Sequence, residues 1–532
     1  MTASHSQART LSSRQIARAA GVLMLAYIAS GVLGLVRASA ISSAFGAGPR
    51  LDAFLAAQRV PETLFTLVAG GALGSAFIPV FTRFLAADDE DGAARLANAV
   101  ITLLVAVATA LAVVAALFAG PIMEYALMRG ADPSTQALAA ELMRIMLVTV
   151  VVFGVSGLSM GVLNAHQHFL APALAPSLYN VGLIFGALVL AGPWGVHGLA
   201  WGAVIGSLLH FGIQIPVLVR LRFHYRPLFA PQLPAVREVL LLMGPRVLGL
   251  GVVQVNFWVN TSLASGMIAG SITALNFAFT LMFTVLGVLG QSVGTALFPT
   301  LSTLSAQGDW DSFRRTLADA LRSVLFLSIP AGIGLAVVSH PVVALLFERD
   351  EWTSTDTAGT AWALAMFSVG LAGHAVLEIL VRAFYALHDT WTPVKVGTIA
   401  MVLNVVLSLI LIRVFGYPDS TDFAHGPFGG LALAMSLATA VESGTLWVLL
   451  RRRTGGLDDR RVLGGAGRTL VASGIMAGVV ALFLSALPDL PALIQALGGM
   501  ALGGAAFFGT ALILRVEEAQ ALPRLVLRRV GR

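Results

Sequence analysis

Long apolar segments alternate with short polar ones along the whole chain of 532 residues. A helix of about 20 apolar residues crosses the hydrocarbon core of a bilayer and satisfies its own backbone hydrogen bonds there. The pattern therefore predicts an all-α integral membrane protein with fourteen transmembrane helices. The predicted spans are residues 18–44, 52–85, 93–119, 136–163, 172–192, 196–220, 237–266, 271–304, 314–346, 356–386, 393–415, 427–451, 466–487 and 492–515.

Three short motifs occur twice, in the same order in each half of this pattern. The pairs are GSAFIP (74–79) with GTALFP (294–299), NAHQHFLAP (164–172) with YALHDTWTP (385–393), and GLA (198–200) with GLA (430–432). Such spacing indicates that spans one to six and seven to twelve are repeats. Because six is even, the repeats share one orientation, as in transporters that bind substrate between two halves near mid-membrane.

These repeats define the predicted domains. Two parallel six-helix bundles are followed by two additional helices, and both ends of the chain are polar and basic. The predicted segments are a leader 1–17, an N-terminal lobe 18–226, a C-terminal lobe 235–453, two extra helices 463–516 and a tail 517–532.

Composition agrees with a membrane protein. Charged residues make up 11% of the chain, against about 25% in a soluble domain, and the mean hydropathy is +0.86. Cysteine is absent, which excludes disulfides and thiolate metal sites. The sequence has no P-loop, zinc-hydrolase or serine-nucleophile motif, so it predicts a transporter rather than an enzyme or ATPase. A monovalent cation gradient or the membrane potential is then the expected energy source.

Arginines are concentrated in alternate loops, which predicts the topology. The positive-inside rule places such loops, and with them both termini, in the cytoplasm. An excess of arginine in these positions sets topology and does not indicate nucleic-acid binding. The loop arginines are Arg9, Arg14, Arg18, Arg220, Arg222, Arg226, Arg237, Arg314, Arg315, Arg451, Arg452, Arg453, Arg460, Arg461, Arg468, Arg524, Arg528, Arg529 and Arg532.

A few charges fall inside the first two predicted spans. Arg37 lies in span one, Arg59 lies in span two, and Asp52 starts span two. A charge in a span is costly and usually faces a wet cavity, where a guanidinium can hold a phosphate. The alternatives are snorkelling of Arg37 to the interface, capping of span two by Asp52, and binding of Arg59 to a carbonyl freed by Pro61.

Other polar residues in the spans allow two readings each. Glu141 with Arg144, and Glu378 with Arg382, have the spacing of helix ion pairs or of ligand contacts. Arg246 is a candidate cavity residue of the second half. Asn404 with Ser408, and Asn256 with Asn260, each share one helix face. Their oxygens suit a cation, although hydrogen bonding between helices is the commoner use.

Several stretches resemble the MurJ/MviN family of lipid-linked peptidoglycan precursor flippases, within the multidrug, oligosaccharidyl-lipid and polysaccharide exporter superfamily. The resemblance runs from about residue 20 to residue 450. It is carried by GVLGLVR (31–37), FGAGPRLDAF (45–54), SAFIPVF (75–81), LNAHQHFLAPALAPSLYNVG (163–182), MGPRVLG (243–249), GTALFPTLS (294–302) and RAFYALHDTWTPVKV (382–396).

The resemblance implies fourteen helices, with a lipid-facing groove formed by the last two. The resemblance also implies a function. Such a protein moves lipid II, an undecaprenyl-diphosphate-linked precursor of the cell wall, from the inner to the outer leaflet of the cytoplasmic membrane. It does so by alternating access, in which the cavity is exposed to each side of the membrane in turn. Arg37, Ser30 and Asp52 match functional positions of the family. We expect four residues to bind substrate: Ser30, Arg37, Arg59 and Arg246. We expect Asp52 to gate the cavity. Expected partners are the substrate, membrane lipids and cell-wall synthesis proteins.

The chain departs from the family pattern at several positions that usually carry charge. These are Gly31, Phe65, Gly70, Phe279 and Thr280. Two alternatives therefore stay open beside a divergent lipid II flippase. One is an exporter of another lipid-linked oligosaccharide or of an amphipathic cation, and the other is a transport-inactive scaffold for cell-wall enzymes.

Overall fold

The computed structural model describes the backbone of residues 13–68 and 72–520, and the side chains of 29–68, 76–244, 247 and 249–520. Every regular element within these residues is a helix, which confirms the all-α prediction. In the first half of the chain the helices are α1 Ser13–Phe45, α2 Pro49–Val68, α3 Ala72–Ala86, α4 Glu90–Leu117, α5 Ala119–Ile122, α6 Pro133–Met146, α7 Val148–Ala165, α8 Leu170–Phe185, α9 Ala191–Trp194, α10 Val196–Gly212 and α11 Ile215–Arg220.

The second half of the chain continues in the same way. Its helices are α12 Pro234–Ser265, α13 Ser271–Leu286, α14 Ser292–Gln307, α15 Trp310–Val337, α16 Ser339–Phe347, α17 Ser354–Ser368, α18 Leu371–Ala386, α19 Trp391–Val414, α20 Phe428–Thr454, α21 Asp459–Ala486 and α22 Ala492–Ile513. Single π-helical turns occur at Met123–Leu127, Gly186–Leu190 and Gly287–Gln291.

Within the described residues, ten continuous helical stretches are long and apolar enough to cross a membrane. Four of them join neighbouring helices: Pro133–Ala165, Leu170–Trp194, Val196–Arg220 and Ser271–Gln307. Two further pairs, Pro234–Gly244 with Gly249–Ser265 and Ser354–Ser368 with Leu371–Ala386, bend by 47° and 45° and raise the number to twelve if each pair is one span. These twelve correspond to predicted spans three to fourteen. Span 18–44 includes side chains, and span 52–85 includes backbone, outside the described part, so the total of fourteen stays a prediction.

The described residues form two compact units. The first takes in described residues of Met1–Ala44, Ala56–Tyr125 and Pro133–Gln254. The second takes in Phe45–Leu55, Ala126–Asp132 and the described residues of Val255–Arg532. Two short segments, 45–55 and 126–132, thus pack with the second unit. The predicted segment boundaries stay a prediction.

In the first unit, helices α8 and α10 approach each other through glycine. A Cβ atom on Gly182 would overlap the Cα atom of Gly206, and one on Gly186 would lie 2.8 Å from the Cα atom of Gly202. Small residues spaced by four let helix backbones pack closely in a membrane, where van der Waals contact replaces the hydrophobic effect. This contact gives α8 a fixed position in the unit.

In the second unit, the two extra helices pack against α15. Phe326 of α15 belongs to one buried apolar cluster with Met476 of α21 and Phe507 of α22. Beyond α22, Glu517 and Glu518 lie 2.9 and 2.8 Å from the buried Arg322 guanidinium. Hydrogen bonds from Arg461 and from Arg322 lower the pKa of Glu517. The end of the described chain is thereby fixed to α15.

Local geometry repeats as the sequence motifs predict. Asp89 accepts a hydrogen bond from the Gly92 amide at the start of α4 (2.7 Å), and Asp309 accepts one from the Ser312 amide at the start of α15 (3.0 Å). Both helices are 28 residues long, and each follows a helix with an internal proline. The two halves therefore share capping chemistry as well as short motifs.

Candidate functional site

Arg37 is held on α1 by an amide from α8. Its Nη1 atom donates a hydrogen bond to Oδ1 of the buried Asn180 (3.0 Å). Nδ2 of Asn180 in turn donates to the backbone carbonyl of Ser30 (3.3 Å). Residues seven apart lie on one helix face, two turns from each other. One asparagine thus joins the predicted Ser30 and Arg37 positions and orients the guanidinium.

The Arg37 guanidinium keeps donors to spare. Among the described residues it forms this hydrogen bond and no ion pair, whereas a guanidinium has five N–H donors. The Arg59 guanidinium differs, because its Nη1 atom lies 3.2 Å from Oε2 of Glu62 on the same helix. Of Arg37 and Arg59, Arg37 is the one that forms no ion pair among the described residues, so its charge is the more available to an anion.

A buried network lies behind Asn180. Tyr179 packs edge-on against Phe153, with ring centroids 5.1 Å apart, and Phe153 packs in the same way against His210. Nδ1 of His210 is hydrogen-bonded to Oγ of Ser156 (2.7 Å), which also accepts from Nε2 of Gln214 (2.6 Å). Packed, hydrogen-bonded cores hold their neighbours in one rotamer. This network packs against Tyr179, the residue before Asn180, and so helps to fix the position of α8.

Asp52 lies in the second unit and caps a helix that sequence analysis did not connect with it. Its Oδ2 atom accepts from the Gly270 amide (2.7 Å), and Oδ1 accepts from the amide and the hydroxyl of Thr273 (2.8 and 2.7 Å). Gly270 and Thr273 lie at the start of α13, so the Asp52 side chain caps α13. The alternative that Asp52 caps its own span, span two, was therefore wrong. A carboxylate at a helix N-terminus satisfies amides that have no partner within the helix.

A second carboxylate holds the same part of the chain. Oδ2 of Asp356 accepts hydrogen bonds from the amides of Thr353 (2.9 Å) and Ala47 (3.4 Å). The 45–55 segment is therefore fixed within the second unit by Asp52 at one end and by Asp356 at the other. Such a contact is well suited to a gate, because it depends on a few hydrogen bonds.

The candidate cation residues Asn260, Asn404 and Ser408 lie in the second unit. Asn404 and Ser408 are buried on one face of α19, and their polar atoms have no hydrogen-bond partner among the described residues. Asn260 donates from Nδ2 to Oδ1 of Asn256 (3.1 Å). The side chain of Arg246 lies outside the described residues. Groups of three or more His, Asp or Glu side chains suited to a metal ion are absent from the described part.

Sequence reasoning missed Asn180, Thr273 and Asp356. Asn180 was open to detection, because it is an amide within an apolar span. Thr273 and Asp356 carried no comparable signal, since a threonine or an aspartate at a helix start is ordinary capping chemistry.

The described residues are all helical or connecting and contain at least ten candidate spans. They also contain an arginine that forms no ion pair and a segment fixed by buried carboxylates. These features define the class of multi-pass membrane transporters. Comparison with known proteins narrows this class. The family model described as "Lipid II flippase MurJ" matches residues 41–493. The chain therefore belongs to the lipid II flippase MurJ family.

Individual relatives agree with this assignment. The chain is 31% identical to "Lipid II flippase MurJ" of Burkholderia cenocepacia, over 80% of this chain and 81% of the relative. It is 33% identical to "Probable lipid II flippase MurJ" of Haemophilus influenzae, over 79% of this chain and 83% of the relative.

Solved structures give the same fold. A structure described as "Lipid II flippase MurJ, inward closed conformation" superimposes with a TM-score of 0.77, at 26% identity over 92% of this chain and 98% of the other. An inward-facing MATE family multidrug transporter superimposes with a TM-score of 0.63 at 16% identity, over 81% of this chain and 96% of the other, and shows the fold alone.

Proposed function

We propose that the protein moves lipid II from the inner to the outer leaflet of the bacterial cytoplasmic membrane by alternating access. The observation that carries this proposal is Arg37, which is oriented by Asn180 and forms no ion pair among the described residues. A guanidinium binds a diphosphate through paired N–H groups, and a charge-assisted bond of this kind is stronger than a neutral one. The prenyl chain would stay in lipid.

Asp52 supports the gating part of the proposal. Its three hydrogen bonds to Gly270 and Thr273 hold the 45–55 segment in place. We infer that these bonds close the outer side of the pathway and that they break when the protein opens outward. The arginine distribution supports cytoplasmic termini. Proteins of cell-wall synthesis, which use lipid II at the outer surface, would be its neighbours.

Complementation tests this proposal. The full chain, expressed in a bacterium depleted of its own lipid II flippase, is expected to restore growth and cell shape. Restored growth with a variant that cannot bind lipid II would favour the scaffold instead. Failure of the wild-type chain to restore growth, at a membrane level equal to that of the native flippase, would reject the proposal.

The Asn180→Ala variant is expected to bind lipid II about tenfold more weakly, because a hydrogen bond to a charged group contributes about 1.5–3 kcal/mol. Asn180→Asp is expected to be worse, since its carboxylate would pair with Arg37 and compete with the diphosphate. Lipid II binding to the purified proteins measures both effects. Asn164→Ala on α7 is the control and should bind like the wild type; equal loss in the control would show a general defect.

We further propose that a monovalent cation binds at Asn404 and Ser408. The support is their burial on one face of α19 without hydrogen-bond partners among the described residues, since buried polar atoms are nearly always satisfied. Asn404→Ala is expected to abolish any stimulation of lipid II transport by a sodium gradient. Thr398→Val on the same helix is the control. An unchanged sodium response in Asn404→Ala would reject this site.

A further inference from the structure

The segment between α11 and α12 is attached to the side of α4. The Tyr225 hydroxyl lies 3.0 Å from Oγ1 of Thr102, which also accepts a hydrogen bond from the Leu228 amide (3.0 Å). The Arg226 amide donates to Oδ1 of Asn98 (3.2 Å). Its backbone therefore has a fixed path, and its side chains have defined positions.

This segment presents arginines and aromatic rings together. Arg220, Arg222 and Arg226 are exposed, and none of them forms an ion pair within the part of the chain that the structure describes. Phe229, which is 65% exposed, and Tyr225 lie among them. Aromatic rings favour the membrane–water interface, and arginines beside a span are attracted to anionic lipid headgroups.

A groove of about 490 Å³ lies at the start of α12, a few residues further along the chain. Its lining consists of Gln232, Pro234, Arg237, Glu238, Leu241 and Leu242. This volume lies within the range of about 300–1,000 Å³ that is usual for small-molecule sites.

The charge of the groove is positive. Both carboxylate oxygens of Glu238 are bonded to the Arg83 guanidinium, with the shorter contact at 2.6 Å. The Arg83 guanidinium thereby compensates the negative charge of Glu238. Arg237 then gives the lining of the groove a net positive charge. Leu241, which is 68% exposed, and Leu242 continue the groove as an apolar wall. A cationic group beside exposed leucines suits a ligand with an anionic head and a hydrocarbon tail.

We propose that this groove binds an anionic phospholipid of the adjacent leaflet. Its phosphate bonds to Arg237, and an acyl chain lies along Leu241 and Leu242. The arginines of the 220–226 segment strengthen binding through their field. The site is separate from Arg37 and does not depend on lipid II as the transported substrate.

Native mass spectrometry of the full chain, with defined lipids added to detergent micelles, tests the proposal. Phosphatidylglycerol is expected to bind more tightly than phosphatidylcholine. Arg237→Gln should weaken phosphatidylglycerol binding about fivefold, since one arginine near an anionic headgroup contributes about that factor. Arg413→Gln, which removes an exposed arginine at the end of α19, is the matched control and should bind like the wild type.

Competition separates the sources of phosphate. Glycerol 3-phosphate, which has a head and no tail, should not displace phosphatidylglycerol at equal concentration. Displacement would mean that the groove binds free phosphate, and equal weakening of undecaprenyl diphosphate by Arg237→Gln would assign the groove to substrate. Either result would overturn the proposal. Equal affinity for phosphatidylglycerol and phosphatidylcholine would also overturn it, and so would an Arg237→Gln variant that binds phosphatidylglycerol as tightly as the wild type.

Discussion

The Arg37→Gln variant is expected to bind lipid II about 100-fold more weakly than the wild type and to lose the ability to support growth. Glutamine removes the charge and the paired donors while it keeps a polar side chain of similar length. Loss of one partner from a buried, hydrogen-bonded charge pair costs about 2–5 kcal/mol, which corresponds to roughly this factor. Titration of the purified variant with lipid II measures the affinity, and complementation measures function.

Arg37→Lys separates charge from geometry. Lysine keeps the positive charge but lacks the planar fork, so we expect affinity between those of the wild type and the glutamine variant. Arg349→Gln, which removes an exposed arginine that follows α16 and bonds to carbonyls at the end of that helix, is the control. Wild-type affinity in Arg37→Gln at normal protein levels would mean that this guanidinium does not contact substrate.

Asp52→Asn is expected to release the 45–55 segment and to slow transport strongly. The amide can keep the bonds to Thr273, but its NH₂ group would face the Gly270 amide, where the carboxylate now accepts (2.7 Å). Loss of one charge-assisted bond costs about 2 kcal/mol, so the equilibrium should shift about 30-fold toward the released state.

The absence of cysteine makes this release directly measurable. Ala53 is fully buried in the 45–55 segment, so Ala53→Cys supplies one thiol that the folded segment covers. A membrane-impermeant maleimide should label it much faster in combination with Asp52→Asn. Asp309→Asn alters a similar cap at α15 and is the control, for which labelling should stay slow. Equal labelling rates with and without Asp52→Asn would show that Asp52 does not hold the segment.

The sequence predicted the helices well because apolar periodicity is a local property. Spans three to fourteen each correspond to a continuous helical stretch or a bent helix pair. Asp89 and Asp309, each ten residues after the proline of the first motif pair, cap α4 and α15 in the same way. The partner of a charged side chain is not set by local sequence. Of the two ion pairs predicted from helical spacing, one was confirmed and one was wrong. Arg382 does pair with Glu378 as expected.

The second predicted ion pair was wrong. Glu141 bonds to His197 (3.2 Å), while Nε of Arg144 donates to the carbonyl of Ala116 (3.2 Å). Both competing partners come from other helices, so the spacing of Glu141 and Arg144 along one helix could not show them. The same reason applies to Asp52, whose partners on α13 are more than 200 positions away in the chain.

The departures from the family pattern have a physical explanation at two positions. Phe65 packs against Phe153, with ring centroids 5.2 Å apart, next to the network that supports Asn180. Phe279 packs against Phe283 and Phe367 in the second unit (4.5 and 5.6 Å). Aromatic pairs of this kind stabilise helix packing. Aromatic contacts thus occupy two positions where the resemblance implies charge.

Translocation of lipid II in proteoliposomes tests the central claim most directly. Labelled lipid II is placed in both leaflets, and an impermeant reagent that destroys the label from outside reports how fast the inner pool becomes accessible. We predict that the wild-type protein exposes the inner pool, whereas Arg37→Gln does so no faster than protein-free vesicles. Wild-type vesicles that behave like protein-free ones, or an Arg37→Gln variant as fast as the wild type, would contradict the account.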